Sequence, residues 1–207
     1  MPFQHHQAAP LQSLLSVAAP IPGILEKVDA VPCVPSGAAI AAASHRLGEL
    51  RDSIVQLKAW HTSFLESSST PLYWRRAIER KPGRTFETLW YHDLSTANVF
   101  IYFWAFHLIC LVNILSLLDR FPSPGLSGQN QTAHGSETLQ PQCLELSTQI
   151  YQSMEFILQP EFMLYGISSA GFPLQVACEA LQADAIGRTI LDTLDPSIVV
   201  RSQVRDL

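Results

Sequence analysis

Polar side chains interrupt the most apolar run of the chain at a regular interval. In VFIYFWAFHLICLVNILSLL (Val99 to Leu118), His107, Cys110 and Asn113 recur every third position, with Ser116 next in the series. A thiol, an imidazole and an amide are the parts of a cysteine nucleophile, its base and the group that orients the base. Such a set has to converge on one pocket from differently oriented positions, whereas residues three apart on a helix stack near one face. The spacing therefore predicts hydrogen-bonded groups within a core, not a catalytic trio.

Other residues of chemical potential are weaker still. His92-Asp93 matches the paired ligands of metal-dependent phosphohydrolases, but the separate histidine and aspartate ligands of such sites are not recognisable. His45, His61 and His134 form neither an i, i+4 pair nor an HExxH motif, and His5 and His6 stand beside a terminus where histidines are normally solvated. Glu155 and Glu161 flank the ILQP turn as helix-end charges, with nothing to mark them as a matched acid and base. Neither a glycine-rich phosphate loop nor G-x-S-x-G is present. The expectation is a chain with no catalytic, cofactor-binding or metal residues, and no cofactor.

The elements that would position these groups read as helices. Prolines at 2, 10, 20, 22, 32 and 35 divide residues 1–37 into short pieces, with room for a helix over Leu11 to Ala19 and another over Gly23 to Ala30. From Gly37 to about Glu66, Leu47, Leu50, Ile54, Leu57, Trp60 (or His61) and Phe64 recur at steps of three and four, the mark of an amphipathic helix that Pro71 bars from continuing. Residues 72–93 are mixed, and their basic cluster of Arg75, Arg76, Arg80, Lys81 and Arg84 around Pro82-Gly83 reads as a solvated connector. Ser95 is the expected N-cap of the apolar helix, which runs to about Arg120.

Residues 121–141 are rich in Gly, Ser, Gln and Pro and are expected to form a flexible loop. A helix after Pro141 would bury Leu144, Ile150 (or Leu146), Met154, Ile157 and Leu158. QPEFMLYGISSAGFP then reads as a turn-rich link, and Pro173 as the first turn of a last helix with Val176, Ala177, Ala180 and Leu181 on its apolar face. No strand alternation is apparent. The expected fold class is all-α, an irregular helical array around the very apolar central helix at about 95–120. It comprises a Pro-rich segment with short helices at 1–37 and a helical domain at 38–207.

Composition narrows the function classes. The chain has 207 residues, of which 47% are hydrophobic and only 15% charged, against about 25% charged in typical soluble domains, so its surface is short of charge unless a partner covers part of it. A net charge of −5 argues against a direct grip on nucleic acid. Cys33, Cys110, Cys143 and Cys178 lie far apart without paired spacing, which predicts free thiols in a reducing compartment. The N-terminus lacks the basic stretch and apolar run of a secretory signal, leaving cytoplasm or nucleus as the expected location.

Two stretches together carry a resemblance. STANVFIYFWAFHLICLVNIL (Ser95 to Leu115) and STQIYQSMEFILQPEFMLYGISSAGFPLQVACEAL (Ser147 to Leu181) resemble the C-terminal part of the regulatory, or middle homology, domain of fungal binuclear zinc-cluster transcription factors. The second carries a helix ending followed by a glycine-containing turn and an FPL helix start, here Ile150, Ser153, Glu155, Leu158, Pro160, Glu161, Gly166, Phe172, Pro173, Leu174, Val176 and Ala177. The resemblance spans residues 40–195 and is strong only in these two stretches. It implies an all-helical, nuclear module that regulates transcription, for example of a metabolic or secondary-metabolite pathway, without catalysis. The cysteine-rich basic segment through which that family binds DNA is not in this sequence. The implied partners are therefore proteins, a second copy or a DNA-binding regulator.

A second reading takes Val99 to Leu118 as a single membrane span, since roughly 20 apolar residues suffice to cross a bilayer. The basic cluster upstream, against Arg120 alone just after the run, would place the N-terminal side in the cytoplasm.

Overall fold

A computed structural model describes residues 9–34, 36–81, 84–122 and 134–182. The fold is mostly helical, as its sequence leads one to expect. Two short helices, α1 (Pro10–Ala18) and α2 (Ile21–Asp29), each carry a proline in the first turn, where the missing N–H has no helical partner to lose. They bury Leu14, Ile21, Ile24 and Val28 in the same core as the longer helices. The indole N–H of Trp60 donates to Ser13 Oγ at 3.0 Å, pinning α1 to α3 (Gly37–Glu66).

Helix α3 begins where Ser36 Oγ accepts from the Ala39 amide at 3.1 Å, a side-chain cap for one of the unpaired first-turn donors. Its buried residues are Ala39, Ala43, Leu47, Leu50, Ile54 and Leu57, the stripe that periodicity specifies with two alanines added at the start. Trp60, His61 and Phe64 continue it, half-buried.

The segment expected to be a connector is a β-hairpin. Strands β1 (Tyr73–Lys81) and β2 (Arg84–Tyr91) pair antiparallel, Tyr73 opposite Tyr91 and Trp74 opposite Trp90, with a bulge between Glu79 and Lys81. The strands escape notice in the sequence because β1 is mostly exposed, so its residues do not alternate between apolar and polar. Cross-strand pairs hold it instead. Arg75 bonds Glu87 at 2.7 Å, the Arg76 guanidinium lies 4.7 Å from the Trp90 ring centre, and Thr88 Oγ1 donates to the Arg76 carbonyl at 2.9 Å. Pro82-Gly83 and the side chains of Arg80, Lys81 and Arg84 lie outside the described residues.

The central helix α4 spans Leu94–Arg120. Its N-cap is Asp93, not Ser95: Asp93 Oδ1 accepts from the Thr96 amide at 2.7 Å, and a carboxylate is favoured over a hydroxyl at the positive end of the helix dipole. Helices α1, α2, α3, α5 and α6 and strand β2 all pack on α4. At the far end Arg120 Nη2 donates to the Val31 carbonyl at 2.7 Å, closing α4 onto the residues after α2.

Two further expectations are corrected. Helix α5 (His134–Ile157) starts before Pro141, so the region expected to be a loop is helical from 134 onward, and its central part, 123–133, lies outside the described residues. Likewise the QPE…GFP link is a 3-10 turn at Pro160–Phe162 followed by helix α6 (Met163–Gln182), which carries Pro173 inside it. Proline costs an interior helix one hydrogen bond and is a weak boundary where tertiary packing compensates. Pro173 is itself buried, with Leu174 and Ala177. Of the predicted faces, Ile150, Leu146, Met154 and Ile157 are buried on α5 while Leu144 and Leu158 are half-buried, and Val176 and Ala180 sit half-buried beside Leu174 and Leu181 on α6. Residues 183–207, the end of the helical domain expected at 38–207, lie outside those described.

Candidate binding site

The polar series of α4 does not act as one face. Residues three apart fall back by about 60° per step at 100° per residue, so four of them sweep half the circumference. His107 is 6% exposed and Cys110 fully buried, Asn113 is half-buried and donates to its own helix at the Ile109 carbonyl (2.9 Å), and Ser116 is exposed. Burial pushes the Cys110 thiol up to about 12, which keeps it protonated and poor as a nucleophile. Only His107 among them reaches a cavity.

That cavity is a recess of about 350 Å³ where α3, α4, α5 and β1 meet. Its floor is aromatic: Phe100 lies 5.0 Å from Tyr73 and 5.5 Å from Trp104, ring centre to ring centre, in edge-on and tilted contacts. Phe103 carries the ring of His61 stacked on it at 4.1 Å, and His107 approaches the same Phe103 from within α4 at 6.0 Å. Two imidazoles from different helices thus share one recess. The Nε2 atoms of His61 and His107 are both buried with no hydrogen-bond partner among the described residues, an arrangement native proteins rarely leave unused.

The electrostatics keep both imidazoles neutral. Burial, the positive charge of Lys58 and the neighbouring His61 together hold His107 down to about 4, and burial lowers His61. Lys58 lines the recess and makes no ion pair among the described residues. The other charge on the lining, Glu145, accepts from Gln149 Nε2 at 3.5 Å. Neutral imidazoles can each donate or accept, so the recess offers hydrogen bonds beside an apolar floor, the usual make-up of a small-molecule site.

The remaining candidates do structural work or lie elsewhere. His92 bonds the Pro71 carbonyl at 2.9 Å while Asp93 caps α4, so the HD pair closes the hairpin onto the helix. His45 lies 3.5 Å from Glu49 on α3. No cluster of three or more metal-ligating side chains occurs among the described residues. Glu161 is exposed in the 3-10 turn and Glu155 is half-buried on α5. His5 and His6 lie outside the described residues, as does the side chain of His134. All four cysteines are unpaired, Cys33 exposed and Cys110 and Cys143 buried. The pairing of His61 with His107 is what sequence reasoning missed. Its one signal is that His61 alternates with Trp60 on the apolar stripe of α3. No family model, curated protein or solved structure matches the chain.

Proposed function

We propose that the chain is a non-catalytic regulatory or interaction domain of the fungal transcription-factor type, acting in the nucleus through protein partners. The observation that carries this reading is where the residues of the QPE…FPL pattern sit. Ile150 and Ser153 are buried on α5, Pro160 opens the 3-10 turn, and Pro173, Leu174 and Ala177 are buried on α6. Gly166 is pressed so closely on the Ile157 carbonyl that no side chain fits there. The pattern thus describes one corner that closes a helical array, more than a scatter of apolar letters. Met163, Leu164 and Tyr165 project beside it, 73%, 73% and 80% exposed, an apolar outcrop of the kind that meets other proteins.

The single-span membrane reading keeps one observation in its favour: α4, 27 residues long, is long and apolar enough to cross a bilayer. Its surroundings favour a protein core. Phe100, Ile101, Trp104, Ala105, Leu108 and Leu111 are buried, as are Phe103, Cys110, Ile114 and Leu117, so buried side chains cover roughly two thirds of its circumference.

The test is to tether the full chain to a heterologous DNA-binding segment and read a reporter gene. Output that changes severalfold in either direction, and returns to baseline when Gly166→Val collapses the corner, is the expected result. A chain that is recovered folded without detergent yet leaves the reporter unchanged is no transcription regulator, and one recovered folded only from detergent-solubilised membranes is the membrane protein of the second reading.

A further inference from the structure

We infer that the recess between α3, α4, α5 and β1 binds a small carboxylic acid with an aromatic or similarly bulky apolar body. The inference stands whether or not the chain regulates transcription; where it does, the acid is an effector.

Three features of the recess converge on this chemistry. The first is the pair of buried Nε2 atoms of His61 and His107, two residues on the lining of the recess whose Nε2 atoms lack partners among the described residues. His107 is 6% exposed and its Nε2 is closed to bulk water, so a ligand oxygen seated against it from the recess would supply the partner it lacks. With the proton on Nε2, both imidazoles donate, and a carboxylate has the lone pairs to accept from both at once.

The second feature is charge. Lys58, on α3, has no ion pair among the described residues, whereas Glu145, on α5, accepts from the amide of Gln149. Both charged side chains are exposed. Lys58, without an ion pair among the described residues, therefore favours a negative head group on its own side of the recess, away from Glu145, and a hydroxyl in its place would leave Lys58 and one imidazole unanswered.

The third feature is shape. The rings of Tyr73, Phe100, Phe103 and Trp104 form an apolar wall against which another ring would pack edge-on or offset. A cavity of about 150 Å³ accommodates benzene, so one of about 350 Å³ has room for a ring, a short linker and a carboxylate.

Hydrocinnamate is a suitable probe, with hydrocinnamyl alcohol as its neutral counterpart and acetate as the head without a body. Binding is followed by the imidazole resonances of His61 and His107 and by Trp104 fluorescence in the full chain. Expected are saturable binding of hydrocinnamate in the millimolar range or tighter, movement of both imidazole signals, binding of the alcohol about tenfold weaker and none of acetate. Lys58→Gln, an exposed substitution that keeps the fold, should weaken the acid about tenfold and leave the alcohol unchanged. Equal affinity for acid and alcohol, an unaltered acid affinity in Lys58→Gln, binding that moves neither imidazole, or no saturation by about 10 mM each overturns the proposal.

Discussion

Tyr91 at the end of β2 and Ser153 on α5 meet through their hydroxyls at 2.6 Å, across 62 positions of sequence and in a part of the core where both are buried. Ser153 Oγ also lies 2.8 Å from the Gln149 carbonyl, which can only accept, so the serine proton goes there and the tyrosine donates to the serine. Together with the burial that raises the Tyr91 phenol above its usual range, this fixes the hairpin to the helical array as a neutral, directional bond.

The direction of that bond makes its two ends unequal. Tyr91→Phe removes one hydrogen bond but leaves Ser153 donating to Gln149, for a cost of about 1 kcal/mol. Ser153→Ala strands a buried phenol donor and is expected to cost more, about 2–3 kcal/mol. The double variant should be less destabilised than the sum of the two. Urea unfolding of the three variants checks the order, and a costlier Tyr91→Phe would show that the donor has been assigned the wrong way round.

Glycines in this chain divide by what surrounds them. At Gly166 an added methyl group would overlap the Ile157 carbonyl, a backbone atom that cannot move aside without shifting α5 against α6. Gly166→Ala is expected to cost about 2–4 kcal/mol through this overpacking. Gly48, exposed within α3, has open space around the same position, so Gly48→Ala should stabilise by up to about 1 kcal/mol through helix propensity alone. Melting temperatures that move in the same direction for both variants would contradict the close packing at the corner.

How much of this was legible follows from which forces leave a periodic trace. Leu47, Leu50, Ile54 and Leu57 each face the core at helical spacing, so α3 can be read directly, and the unbroken apolar run of α4 announces its central place. The hairpin leaves no such trace because Arg75–Glu87 and Arg76–Trp90 act between strands, and a pairing between strands is invisible in either strand alone. Pro141 and Pro173 misplaced two helix starts since local propensity gave way to the burial of Ile150, Met154, Leu174 and Ala177. The recess was hidden for the same reason as the hairpin: His61 and His107 are 46 positions apart, and only the packing of α3 on α4 joins them.

The buried imidazole of His107 ties stability to pH. Its folded value, about 4, lies below the ordinary 6.5, so between the two the unfolded chain holds the proton that the folded chain refuses. The folded state accordingly loses stability as pH falls below 6.5, by roughly 3 kcal/mol in total, and the loss levels off below about 4. His61, lowered by burial, acts in the same direction. Replacing His107 by Phe should remove most of this slope, so the difference in unfolding free energy between parent and His107→Phe ought to shift in favour of the variant on acidification from about pH 7.5 to pH 4.5. A difference that stays constant over that range would show that His107 accepts its proton freely in the folded chain.

Thiol chemistry should separate the cysteines by their surroundings. Cys33 is exposed and should react with a thiol reagent at once. Burial pushes Cys143 up to about 11 and Cys110 to about 12, so both are shielded and protonated at neutral pH and should react only on unfolding. Cys178 is half-buried with its sulfur 2.6 Å from the Tyr151 hydroxyl, and burial raises its thiol as well, which places it between the two extremes. A time course of alkylation read by mass should show one fast site in the folded chain and all four in denaturant.

The place of α4 can be tested at one of its buried aromatics. Trp104 is 4% exposed and packs against Phe100 at 5.5 Å and Tyr73 at 6.4 Å, so an aspartate there would be an unpaired charge in an aromatic environment. Its cost, several kcal/mol, is comparable with the 5–15 kcal/mol that holds a typical domain together, and Trp104→Asp is expected to abolish cooperative unfolding. Ser116→Asp, at an exposed position of the same helix, serves as the control and should change stability by less than about 0.5 kcal/mol. Were Trp104→Asp to melt like the parent, α4 would not lie in the core, and the membrane reading of Val99 to Leu118 would gain the ground that the helical array now holds.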